Sequence, residues 1–264
     1  MKTLLALSLC LALVARQSPE QAYQKANALF LQQQLAQSLA AVEQVLRLDP
    51  NFAPALTLKA RLALAAERYD VAIACLSRVV ELEPGNAAAH FLLGFSRYVE
   101  NDFRHALPAL ERARQLQSTD ARTHFYLALT YEALGRTDEA IAGYEQSLKL
   151  EKNGGAMADT LVAYARLLFT LGQFAGSEKL IDRALLAEAG SRDAQYEKGR
   201  LLFERQDYAA AIKHGLRALA LPGVGTTERQ IHFLLAKAFT KTGQKELAAE
   251  HLAKFRAAPS PLRR

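Results

Sequence analysis

Residues Ala121 to Leu150 read ARTHFYLALTYEALGRTDEAIAGYEQSLKL, two amphipathic segments on either side of a single glycine. Leu127, Ala128, Leu129 and Tyr131 share the inner face of the first, and Ala140, Ile141, Tyr144 and Leu148 recur at helical spacing in the second. Gly135 marks the reversal, where a residue without a Cβ closes a helix in a left-handed cap. Asp138 and Glu139 then favour the positive N-terminal end of the second helix.

The rest of the chain repeats this unit. Positions that tolerate only small side chains, Ala26, Ala60, Gly94, Ala128, Ala165, Gly199 and Ala236, fall at steps of 34, 34, 34, 37, 34 and 37. Ser38, Ala72, Ala106, Ala140, Ser177, Ala211 and Ala248 form a second column with the same steps. Small residues belong where two helices cross closely, so the columns predict seven helical hairpins. The two longer steps are expected to place extra residues in loops, at Lys152 to Ala156 and Pro222 to Thr227, loosening the stack there.

The order Leu127-Ala128, Tyr131, Gly135, Ala140, Tyr144 resembles a tetratricopeptide repeat. Pro50 and Pro84 close the first two units as that pattern requires, whereas Ser118, Lys152, Ala189, Gly223 and Ser260 depart from it, and no Trp is present. The resemblance implies an all-α solenoid of about seven repeats in a right-handed superhelix. The expected repeats are near residues 19–52, 53–86, 87–120, 121–154, 158–191, 192–225 and 229–258. Composition agrees with a helical chain: half the residues are apolar, 23% are charged, and Gly and Pro are sparse.

The ends read differently. Lys2 followed by the apolar run Leu4 to Val14 has the pattern of a secretory signal, with Ala15 the expected last residue before cleavage. The run is too short for a durable span, which needs about 20 apolar residues, so a cleaved signal is expected and an uncleaved tether is the alternative. Residues 16–258 then form one solenoid that starts at a capping box on Ser18-Pro19-Glu20-Gln21. Phe255 replaces the small or β-branched residues of its column (Val45, Val79, Ala113, Ser147, Ala184, Ala218) and is expected to cover the last repeat, before a flexible tail at 259–264. After cleavage Cys75 is the remaining thiol, which excludes an internal disulfide.

Catalytic or metal chemistry is not expected. His90, His124 and His232 share one column and His214 and His251 another, and a repeat separates members of a column by about 10 Å per helix layer, too far for shared ligation. Gly223-Val224-Gly225 lacks the third glycine and βαβ context of a dinucleotide loop, and Ser177 belongs to a packing column. Acidic residues lie scattered among Lys and Arg, with no carboxylate isolated in an apolar run. No cofactor and no small-molecule substrate follow.

The family resemblance places each first helix on the concave side and implies a protein or peptide partner. The candidate lining is Tyr23, Arg61, Phe91, Phe95, Phe125, Arg166, Tyr196, Arg200, Phe233 and Lys237, rings with cations among them; packing between first helices is the competing role for each ring. One turn further on come Phe30, Leu64, Tyr98, Glu132, Phe169, Phe203 and Thr240. The family's carboxylate-gripping variant is not expected, because Arg61 and Phe95 follow Asn27 where matching polar residues belong. The reading is therefore a non-enzymatic, exported, periplasmic or secreted scaffold. The alternative is a polyanion binder, nucleic acid or acidic glycan, on the strength of a net charge of +6, although interleaved acidic residues argue for an ordinary solvated surface.

Overall fold

A computed structural model describes residues 18–151, 154–223 and 225–258. The signal and tail assignments lie outside these residues. The helices fall into two compact units, divided between Ser118 and Thr119.

The first unit holds α1 (Pro19–Leu31), α2 (Leu35–Leu48), α3 (Ala53–Ala65), α4 (Tyr69–Leu82), α5 (Ala87–Val99) and α6 (Phe103–Leu116). The second holds α7 (Ala121–Ala133), α8 (Thr137–Leu150), α9 (Gly154–Thr170), α10 (Phe174–Ala187), α11 (Arg192–Glu204), α12 (Tyr208–Ala220), α13 (Glu228–Lys241) and α14 (Lys245–Ala257). Each unit is built from consecutive antiparallel helical hairpins, and the described residues contain no strand. None of these helices is long and apolar enough to cross a membrane.

Local chemistry starts α1 at Ser18 and reverses the chain at Gly135, as the sequence reading expects. The Ser18 hydroxyl accepts from the Gln21 amide while the Gln21 side chain accepts from the Ser18 amide, with Pro19 beside the cap, and Thr227 and Gln230 form the same box at α13. Gly135 has φ of 73°, and the equivalent residue of every hairpin is also left-handed: Gln33, Glu67, Asn101, Gly172, Gln206 and Gly243. The next residue donates its amide back to a carbonyl five positions earlier, as Arg136 does to Tyr131 at 2.8 Å and Arg68 to Ala63 at 2.8 Å. Helix carbonyls that would lack a partner are satisfied by this turn. Four repeats therefore hold an ordinary L-residue where Gly135 shows the geometry outright.

The two small columns meet. Ser38 Oγ donates to the Ala26 carbonyl at 2.9 Å and Ser177 Oγ to that of Ala165 at 2.8 Å, contacts that join helices within a hairpin. A Cβ on Gly94 would stand 2.5 Å from Leu110 Cγ, so the third hairpin is closed to a methyl group. In the first unit the core runs through Ala26, Val42, Val45, Leu58 and Leu62, then Ala60, Leu76, Val79 and Leu93. Cys75 is buried in it, which pushes its thiol pKa up. In the second unit Ile231, Leu235 and Phe239 of α13 pack with Ala218 of α12.

Two expectations about the longer steps change. The first insertion is not all loop: α9 begins at Gly154 and runs for 17 residues, about a turn longer than its counterparts. Three extra residues continue the helix backward because one turn of helix satisfies backbone groups that a loop would leave open. The second insertion does lie between helices, but the hairpins on either side interlock. Gly199 and Gly215 leave gaps that Leu234 and Leu235 of α13 fill, and a Cβ on them would come within 3.1 Å and 2.8 Å of these leucines.

Candidate binding cleft

The expected first-helix lining separates by unit. In the first, Phe91 is buried and its ring lies 6.4 Å from that of Phe95, while Tyr23 packs edge-on to Phe52 at 5.6 Å. Phe91 is thus a packing residue, a correction to its assignment as an open groove ring. Residues four apart on a helix share a face, but that face meets the neighbouring helix before it meets solvent. Arg61 sits with its guanidinium carbon 4.6 Å from the centre of the Phe30 ring.

In the second unit, Phe125 is half-buried, with its ring 6.2 Å from the core residue Tyr144, so it too serves packing. Tyr196, Arg200, Phe233 and Lys237 come together. With Phe169, Phe203, Glu204 and Leu234 they line a cleft of about 230 Å³ formed by α9, α11 and α13. Its rings have firm backing: Phe169 packs against Phe174 at 5.3 Å and Phe203 against Tyr208 at 5.2 Å, each pair bracketing its hairpin turn. Phe233 is 46% exposed and touches the Phe255 ring at 5.0 Å. Phe255 is half-buried there, with Arg229 on its face at 4.6 Å.

The cations rest on these rings. The Arg200 guanidinium carbon lies 4.2 Å from the centre of Phe169 and 5.9 Å from that of Tyr196, and Lys237 Nζ lies 4.5 Å from Phe203 and 5.6 Å from Phe233. Such a cation is attracted by the negative face of the ring and keeps its outer side for an anion.

Glu197 was not among the expected residues, and it organises the floor. Only 2% of its side chain is exposed, and it accepts from Arg166 Nε at 2.9 Å and from Arg200 Nη1 at 2.6 Å. A carboxylate this buried is sustained only by such pairing, and two guanidinium groups around it leave one positive charge in excess. Arg166 and Arg200 therefore each spend part of their donor fork on Glu197, while Arg200 still lines the cleft. The pair Glu197 and Arg200, three apart on one helix, was the available sequence signal. Phe169 and Phe203 were visible as a ring column one turn beyond the expected lining.

The histidine reading also changes. Members of different columns face each other within a repeat. His232 Nδ1 lies 2.9 Å from His251 Nδ1, and both side chains are buried. In the preceding repeat the same two positions hold Gln195 and His214, with Oε1 and Nδ1 2.7 Å apart. Among the described residues no group of three potential metal ligands converges.

Family models of sequence agree with this hairpin geometry. Models described as tetratricopeptide repeat match residues 29–94 and 163–223, and a model described as anaphase-promoting complex, cyclosome, subunit 3 matches residues 72–147. The chain is a tetratricopeptide-repeat protein. Among solved structures, this tetratricopeptide-repeat chain is similar in fold to PilW, described as a widely conserved type IV pilus biogenesis factor, with TM-score 0.68 and 17% identity over 78% of this chain and 92% of that one. It is similar also to pilF of Pseudomonas aeruginosa, with TM-score 0.64 and 16% identity over 89% and 97%. YrrB, described as a TPR protein with an unusual peptide-binding site, gives TM-score 0.62 and 20% identity over 70% and 93%. No curated protein matches the sequence.

Proposed function

We propose that the chain is a non-enzymatic scaffold that holds a protein segment in the cleft between α9, α11 and α13. The observation that carries this is the set of rings and cations around one opening: Phe169, Tyr196, Phe203 and Phe233 offer apolar surface, and Arg200 and Lys237 offer positive charge. Rings bury apolar side chains and cations hold carboxylates, so the occupant is a segment that carries both aromatic and acidic residues. The likeness in fold to YrrB, a repeat protein with a peptide-binding site, supports the reading.

Likeness in fold to PilW, a pilus biogenesis factor, and the pattern of Lys2 with Leu4 to Val14 extend it to an exported chain that assists assembly of an envelope or secreted complex. Intact mass of the envelope fraction tests the export; a chain starting at Met1 in the cytoplasm refutes it.

Binding is tested with a peptide library titrated against the full chain. Phe233→Ala and Lys237→Glu should each weaken a selected acidic, aromatic peptide by more than about 1 kcal/mol. The exposed Lys149 on α8, reversed to Glu, should leave affinity unchanged. Lys237 is a cleaner probe than Arg200, whose reversal would set a second carboxylate against Glu197. A steep loss of affinity between low and physiological salt, equal for all three variants, would replace this reading by general polyanion binding.

A further inference from the structure

The wall of the cleft formed by α13 is held from behind by α14, and the contact between them includes two imidazoles. His232 on α13 and His251 on α14 approach Nδ1 to Nδ1 at 2.9 Å, with ring centres 5.0 Å apart and the Phe239 ring 5.4 Å from His251. One Nδ1–H donates and the other Nδ1 must accept, so at least one of the rings is neutral. Were both protonated, two N–H groups would point at each other across 2.9 Å, the hydrogen bond would be lost and two positive charges would face each other.

We infer that His232 and His251 form an acid-opened latch between α13 and α14 that governs one wall of the binding cleft. The neighbouring residue Phe233 belongs to the cleft, and its ring contacts Phe255 of α14, so separation of the two helices removes both supports of that wall.

The preceding repeat shows what the latch is not. There Gln195 donates Nε2–H to the Ala189 carbonyl at 3.3 Å, which turns its Oε1 toward His214. That oxygen accepts from Nδ1–H whether His214 is neutral or charged, so the Gln–His pair persists through protonation. The His–His pair does not.

The surroundings set the direction. Burial pushes both imidazoles of the pair below their ordinary value of 6.5. Lys254 on α14 acts in the same sense on both, and His232 adds to the effect on His251; Glu228 on α13 opposes it at His232, and Glu250 on α14 at both. Helix α12 brings apolar Ala218 and Leu219 to this region. For a base held low, the open state takes the proton first, so the latch is closed above about pH 6.5 and weakens as pH falls.

The link to binding rests on the proposed function; the latch itself does not. Hydrogen exchange on the full chain, from pH 7.5 to 4.5, measures opening of α13 and α14 directly. His232→Gln reproduces the pair of the preceding repeat and should keep the hairpin closed. Each additional proton taken up on opening multiplies the opening constant about tenfold per pH unit, so between pH 6.5 and 4.5 the parent should open at least about tenfold more than the variant. An equal rise in both overturns the latch. Imidazole ¹⁵N shifts of the unaltered chain supply a reading that needs no variant: one ring should resist protonation well below pH 6.5, and two independent titrations near 6.5 overturn the inference. A peptide that binds the cleft should be released by acid from the parent but not from His232→Gln. If α13 and α14 open with acid while no peptide binds, the latch stands and the binding reading falls.

Discussion

Gly94→Ala is the most direct trial of the packing that holds each hairpin together. The added Cβ would lie 2.5 Å from Leu110 Cγ, 2.8 Å from Leu110 Cδ2 and 3.1 Å from the Leu110 amide nitrogen. Carbon atoms in contact prefer about 3.5–4.0 Å, so the overlap with the side chain is about 1 Å. Leu110 is completely buried and has no open direction to swing into, and its backbone moves only with the whole of α6. Overpacking of this kind costs about 1–3 kcal/mol, while alanine in place of glycine within a helix returns up to about 1 kcal/mol. The net expectation is a loss of about 1–2 kcal/mol, seen as a melting temperature lower by about 2–6 °C and as faster hydrogen exchange in α5 and α6. Gly85→Ala is the matched control, since no heavy atom lies within 4 Å of its added Cβ, and it should remain within about 0.5 kcal/mol of the parent. Adding Leu110→Ala should give a double variant more stable than the sum of the two losses by at least about 0.5 kcal/mol, because the new methyl then occupies vacated space. Melts of Gly94→Ala and Gly85→Ala that superimpose would refute the close crossing at this position.

Glu67 has φ of 54°, strained for an L-residue, so Glu67→Gly should raise stability by up to about 1 kcal/mol in urea titration, whereas the same change at a right-handed helix position lowers it. Glu197→Gln sets a buried neutral amide against two partly exposed arginines and should cost about 1–3 kcal/mol by thermal melt; a loss below about 0.5 kcal/mol would show that the carboxylate is not needed there. Burial and then Glu145 hold the Tyr164 hydroxyl up to about 12 against an ordinary 10, so the unfolded phenol ionises first and stability falls from pH 10 upward. Tyr164→Phe should therefore flatten the alkaline loss of stability between pH 10 and 12, followed by circular dichroism.

Much of the fold was legible because tetratricopeptide packing depends on near-neighbour spacing along one chain. The columns through Ala26 and Ser38 mark where helices cross, and side-chain volume at a crossing is a constraint that sequence carries openly. Ser18, Pro19 and Gln21 announced a helix start for the same reason: all the atoms involved lie within one turn. The left-handed turns show the limit of such signals. Gly135 was readable, but Gln33, Glu67, Asn101 and Gln206 adopt the same conformation because the two packed helices impose it, and nothing in their own chemistry requests it.

The cleft divides along the same line. That rings and cations alternate along the first helices was determined by sequence, since a helix face is set by periodicity alone. Which of those rings remain open was decided by tertiary structure: Phe91 is covered and Phe233 is not, although they occupy one column. The pairing of Arg166 with Glu197, 31 residues apart, and of His232 with His251, 19 residues apart, likewise arises only when separate helices are brought side by side. A contact between side chains on different helices depends on the distance and rotation between their axes, and those are set by the whole packed unit rather than by any local run of residues.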